Sequence, residues 1–151
     1  MKKILLAIIL MITCACHLDA QTVDDLFKEF KGKTNAEYIE IPKVMMSMAS
    51  AFVNKEDGRD IVKRVDHIKI LNIENNPQLC QAFAQKATNL KKEGYETMVN
   101  SNEENEKTMV LVKTKKDNIT EMVVLNIETN ECSLIQIKGK LRPSDMENFN
   151  N

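Results

Sequence analysis

Tryptophan is absent from these 151 residues, and only two tyrosines and five phenylalanines are present. Glycine occurs four times, at Gly32, Gly58, Gly94 and Gly139, always isolated. No phosphate-cradling loop of the dinucleotide or P-loop kind fits such spacing. Histidine occurs twice, at His17 and His67. No Gly-x-Ser-x-Gly elbow positions a serine for either one, and a histidine this isolated lacks the clustered spacing of a zinc site. The formal charge is −1 with no basic block, which excludes the electrostatic footprint of a nucleic-acid binder. No cofactor, metal ion or nucleic acid is expected.

What is present begins at the N-terminus. Lys2 and Lys3 precede an uncharged apolar run, Leu5 to Ile12, and a short stretch with small residues ends at Ala20. Positive charge, apolar run and small-residue cut site are the parts of a secretion signal. The run is too short to span a bilayer as a helix, which takes about 20 residues. Residues 1–20 are read as a signal peptide and residues 21–151 as a single domain. Two processing routes are open. Cutting between Ala20 and Gln21 is favoured. The alternative keeps Cys14 or Cys16 as an acylated lipoprotein cysteine, with Ala15 preceding Cys16 as a lipobox requires. The expected location is the periplasm or cell envelope, at the membrane only if lipidated.

Cleavage at Ala20 leaves Cys80 and Cys132 as the two remaining cysteines. An oxidising compartment permits a disulfide between them. The competing expectation is a buried free thiol at Cys80, on the apolar face of a helix.

Periodicity supplies the elements. Val23, Leu26, Phe27 and Phe30 form one helical stripe, with Thr22 and Asp25 arranged as a capping box and Gly32 as the stop. Residues 37–41 favour strand. A helix is expected over 43–53, with Val44, Met45, Met48, Ala49 and Phe52 on the core side and Met46 outside. Thioethers select copper(I), but core packing explains Met45 and Met48 better. Residues 54–60 read as a polar break and 65–73 as a strand. Asn76 and Pro77 open another helix as cap and first residue. Its buried side carries Leu79, Cys80, Phe83, Ala84, Ala87 and Leu90, and Gly94 stops it. Four strands follow, near 95–99, 108–113, 119–127 and 132–138. Ser144 and Glu147 are expected to cap a last short helix. The order is α-β-α-β-α-β-β-β-β-α. This implies an α+β fold, a predominantly antiparallel sheet with helices packed on one face.

Glu103, Glu104 and Glu106 are the densest carboxylates, in a hairpin turn where solvation explains them. Asn118-Ile119-Thr120 matches a glycosylation pattern, which a bacterial signal makes idle. Phe-Lys-Glu-Phe-Lys-Gly at 27–32, the passage Lys92-Glu93-Gly94-Tyr95-Glu96, and the hairpin from Asn118 to Leu141 with its Ile137-x-Gly139-x-Leu141 ending carry a resemblance. Together they resemble the domain-of-unknown-function 4252 family, small exported bacterial proteins. The resemblance implies envelope location and no site residues. The expected function is a non-enzymatic module that binds an envelope protein or peptide. One alternative is an enzyme or enzyme accessory acting through Glu103 or Glu121. Another is an apolar-ligand carrier with a cavity lined by Met45, Met48, Phe52 and Phe83.

Overall fold

The computed structural model describes residues 21–53 and 56–147; Cys14, Cys16 and Ala20 lie outside them. Helix α1 spans Val23–Phe30, its capping box closed in both directions: Thr22 Oγ1 accepts from the Asp25 amide at 3.1 Å, and Asp25 Oδ2 accepts from the Thr22 amide at 3.0 Å. Gly32, at φ +82°, turns the chain out of the helix, a conformation that costs a side-chain-bearing residue about 1–2 kcal/mol. Strand β1 (Ala36–Pro42) leads into α2 (Lys43–Ala49) and a 3-10 turn, Ser50–Phe52. Helix α3 is Glu56–Arg64 and β2 is Val65–Glu74. Helix α4 (Pro77–Thr88) starts as expected, with Asn76 Oδ1 accepting from the Leu79 amide at 3.0 Å. Strands β3 (Glu96–Asn102), β4 (Glu106–Lys115), β5 (Asn118–Glu128) and β6 (Glu131–Leu141) precede α5, Pro143–Glu147.

The six strands pair antiparallel, in the order β1-β2-β6-β5-β4-β3, so β1 and β3 are the edges. Met122 to Leu125 is apolar throughout because β5 lies inside the sheet, between β4 and β6. On one face α1 and α4 cover a core built on Leu26, Phe83, Ile73, Leu111, Val123 and Leu134. Phe30 meets Phe83 edge-on, centroids 5.2 Å apart. Fully burying one such side chain contributes about 1.5–3 kcal/mol, so this face carries most of the fold's apolar stabilisation.

The structure differs from the periodicity reading in five places. Helix α3 stands where a polar break is expected; its few apolar residues, Ile61 and Val62, pack on the sheet's other face. That places helices on both faces, α1 and α4 on one, α2 and α3 on the other. Met46 is the buried residue of α2, while Met45, Met48 and Phe52 are exposed, Phe52 at 83 %. The helix is set by Met46 reaching the small core of Val65, Val112, Ile119 and Leu141, which turns the broader apolar side outward. Helix α4 ends at Thr88 rather than near Gly94, because the chain turns at Asn89 to let Leu90 bridge to Gln21. Ser144 lies inside α5, and Asp145 performs the capping, accepting from the Arg142 amide at 2.8 Å.

Gly139 explains the Ile137-x-Gly139-x-Leu141 pattern. A Cβ there would stand 2.3 Å from the Arg64 carbonyl oxygen and 3.0 Å from Val65 Cα. The α3–β2 junction crosses β6 so closely that only glycine fits. Arg64 also forks onto Asp145 at 3.0 and 2.7 Å, tying α3 to α5 across 81 residues. Cys80 and Cys132 are buried free thiols, with Cys132 Sγ 3.8 Å from the Cys80 carbonyl oxygen. Burial pushes the Cys132 thiol well above its ordinary range, so it carries no reactive thiolate at neutral pH.

Candidate functional site

Two surfaces stand out: a polar cleft on the α1/α4 face, and the part of the opposite face that helices leave open.

The cleft lies where the α1 N-terminus stops short of the sheet's end. Residues Lys113 of β4, Glu121 of β5 and Lys138 of β6 are directly paired across the strands, giving a row of alternating charge. Gly94, at φ +79°, turns the chain so that Tyr95 lies over this row. The Tyr95 hydroxyl donates to Glu121 Oε1 at 2.7 Å, and buried Gln136 donates to the same oxygen at 2.6 Å. Lys113 Nζ sits 4.2 Å from the Tyr95 ring centroid and 3.9 Å from Glu121 Oε2. Across the cleft, Asp24 accepts from Lys69 at 2.8 Å and faces Lys138 at 3.8 Å. The hydrogen bond from Lys69 holds the Asp24 carboxyl below its ordinary range against partial burial, with Lys138 adding to it. Burial and the bond to Glu121 push the Tyr95 hydroxyl far up, so it acts as a fixed donor. Lys91 and Glu93 pair at the rim, 2.7 Å apart. The cleft is open to solvent on one side and has a volume of about 380 Å³, within the range of small-molecule sites.

The open face is different in kind. Ile39, Ile70, Ile135, Val124, Val110 and Val99 are paired residue to residue across all six strands. They form one apolar row, partly exposed in the middle strands and 43 % and 44 % exposed at its ends, Ile39 and Val99. The next row, Ile41 to Val112, is capped by α2 and α3 and ends at Glu96. On the other side lies Asn72, Ser133, Asn126, Thr108 and Ser101, neutral throughout, with Glu37 at its end. No charge interrupts the central row. Val44, Met45 and Met48 of α2 and Phe52 of the 3-10 turn after it are also exposed.

The other residues singled out in the sequence fall apart in space. Glu103 and Glu104 lie exposed in the β3–β4 turn, whereas Glu121 pairs with Lys113 near the far end of β4. At about 3.3 Å per residue, the carboxylates of Glu103 and Glu121 are on the order of 20 Å apart along the strands, too far for paired-acid chemistry. Phe83 is in the core under α1, on the opposite side of the sheet from Met45, Met48 and Phe52, so these four line no common cavity. His67 Nε2 is 2.7 Å from Glu40 Oε1 but has no aligned hydrogen bond. Glu40 in turn accepts from Tyr38, whose hydroxyl burial raises to about 12. Among the described residues, no three His, Cys, Asp or Glu side chains gather as a metal-binding group, and no helix is long and apolar enough to cross a membrane. Composition points to Glu121 only as a carboxylate; its partners Tyr95 and Gln136 lie 26 and 15 residues away. The Gly94-Tyr95 pair is the one local signal for the cleft.

The model of the family described as "Domain of unknown function (DUF4252)" matches residues 30–149. That is most of the chain, and the protein belongs to this family. No curated protein matches it.

Proposed function

We propose that this member of the DUF4252 family is an exported, non-enzymatic binding module of the cell envelope, docking a protein partner through the open face of its sheet. Export rests on the N-terminal pattern of Lys2, Lys3, the apolar run and Ala20. Docking rests on one observation: the uncharged, in-register apolar row across six strands. Contiguous exposed apolar surface of this kind marks interaction sites. The partner's chemistry follows from the surface. It is apolar and uncharged where it touches the row. With strands about 4.8 Å apart, the row is about 24 Å long, which matches an amphipathic helix of about 16 residues. Such a helix would lie across the strands beside α2, its apolar side on the row and its polar side toward solvent.

The test is affinity capture from envelope extracts with the wild type, Val124→Lys, Val110→Lys and the remote control Glu104→Lys. The reading expects a partner retained by the wild type and the control and lost by both row variants. A partner indifferent to the row variants, or none across repeated captures, contradicts it.

A further inference from the structure

The polar cleft is a separate surface from the docking row, on the other face of the sheet, and its chemistry selects a different ligand. Its charges alternate. Along the paired row stand Lys113, Glu121 and Lys138, and Asp24 faces Lys138 from α1. A plain anion would meet Glu121 and Asp24; a plain cation would meet Lys113 and Lys138. Either is opposed by like charge in a partly desolvated space, where such repulsion is strong.

The internal pairs are also incompletely closed. Lys113 stands 3.9 Å from Glu121 Oε2, and Lys138 stands 3.8 Å from Asp24 Oδ2. Both exceed hydrogen-bond distance. By contrast Lys69 and Lys91 are locked to their carboxylates at 2.8 and 2.7 Å. Glu121 Oε1 is filled by Tyr95 and Gln136, which fixes the carboxylate and leaves Oε2 directed at the loose pair. The cleft therefore offers two ammonium groups with donors to spare and two carboxylate oxygens with acceptor capacity, held on rigid strands and a capped helix.

We propose that this cleft binds a zwitterionic ligand, a short peptide with free amino and carboxyl ends. Its ammonium meets Glu121 Oε2 and Asp24 Oδ2, and its carboxylate meets Lys113 and Lys138. A volume of about 380 Å³ lined almost wholly by polar groups suits two or three residues with small side chains. Large apolar side chains find no surface there beyond Val23 and the Tyr95 ring.

The experiment is an amide-correlation NMR titration of the folded domain with trialanine, with N-acetyl-trialanine, and with trialanine amide. Expected are saturable shifts at the Gln136 side-chain amide and at Gly94 and Tyr95, with a Kd on the order of 1 mM. Capping either end weakens binding at least about tenfold. Glu121→Gln reproduces the loss seen on capping the amine, and Lys138→Gln the loss seen on capping the carboxylate. Should Glu121→Gln unfold the domain, its spectrum shows it, and Lys138→Gln, at a partly exposed position, carries the test alone. Absence of shifts up to about 10 mM, equal binding of the capped peptides, or binding that survives the substitutions overturns the proposal.

Discussion

Replacing Asp145 by asparagine isolates the contact that fastens α3 and α5 to the sheet. The Asp145 side chain is 4 % exposed and Arg64 is 23 % exposed, and the guanidinium meets both carboxylate oxygens. The Asp145→Asn substitution keeps the shape and one acceptor for the Arg142 amide. It leaves Arg64 largely desolvated without a counter-charge. Removing one member of a buried pair costs about 3–5 kcal/mol; Arg64 retains some solvent, so the lower end, about 3 kcal/mol, is expected. For a domain of this size that lowers Tm by about 10 °C. The loss also depends on pH in a defined direction. Burial raises the Asp145 carboxyl, but the Arg142 amide and the Arg64 and Arg142 guanidiniums outweigh it and hold it below its ordinary 3.8. A depressed folded value means the stabilisation is fully present above 3.8 and is lost as pH falls through the folded value. Urea unfolding of both proteins at pH 7, and again at steps toward about pH 2, measures it. The gap should be about 3 kcal/mol at neutral pH and shrink below 3.8. Equal stability at pH 7, or a gap undiminished at the acid end, refutes the reasoning.

Three further outcomes follow from the packing. Met46→Ala should cost about 2–3 kcal/mol, whereas Met48→Ala, at a site 66 % exposed, should stay within about 0.5 kcal/mol; chemical denaturation compares them directly. Gly139→Ala drives a methyl into the Arg64 carbonyl and should cost about 3 kcal/mol, while Gly94→Ala meets only the end of Lys113 at 3.7 Å and should cost about 1–2 kcal/mol from its positive φ alone; paired thermal melts separate steric from conformational strain. Phe83→Ala should cost about 3–5 kcal/mol by opening a cavity beneath α1, read as a fall in the urea midpoint.

Elements whose determinants are local are legible in the sequence. The Thr22–Asp25 box, the Asn76-Pro77 start and the four-strand meander are all readable from neighbours in the chain, and the structure keeps them. Helix α3 is not, because Glu56-Asp57-Gly58-Arg59 offers no apolar period; its place is set by Ile61 and Val62 reaching a distant core and by Arg64 reaching Asp145. The α2 methionines defeat periodicity for the same reason. Helical spacing groups Met45 with Met48, but which side faces the sheet is decided by where Pro42 releases the chain and where Met46 then lands. The cleft is half legible: Gly94-Tyr95 marks its turn, but the charge alternation of Lys113, Glu121 and Lys138 exists only once β4, β5 and β6 are in register. The apolar row is wholly a property of register, since no single strand contributes more than one of its residues.

The most direct test of the proposed docking face is a photo-crosslinking residue placed at Val124 in the protein expressed in its native cells, with Glu104 as the remote site. The account predicts a discrete protein adduct from position 124, abolished by adding Val110→Lys and absent from position 104. Adducts that are equal from both sites, or that persist with Val110→Lys, contradict it.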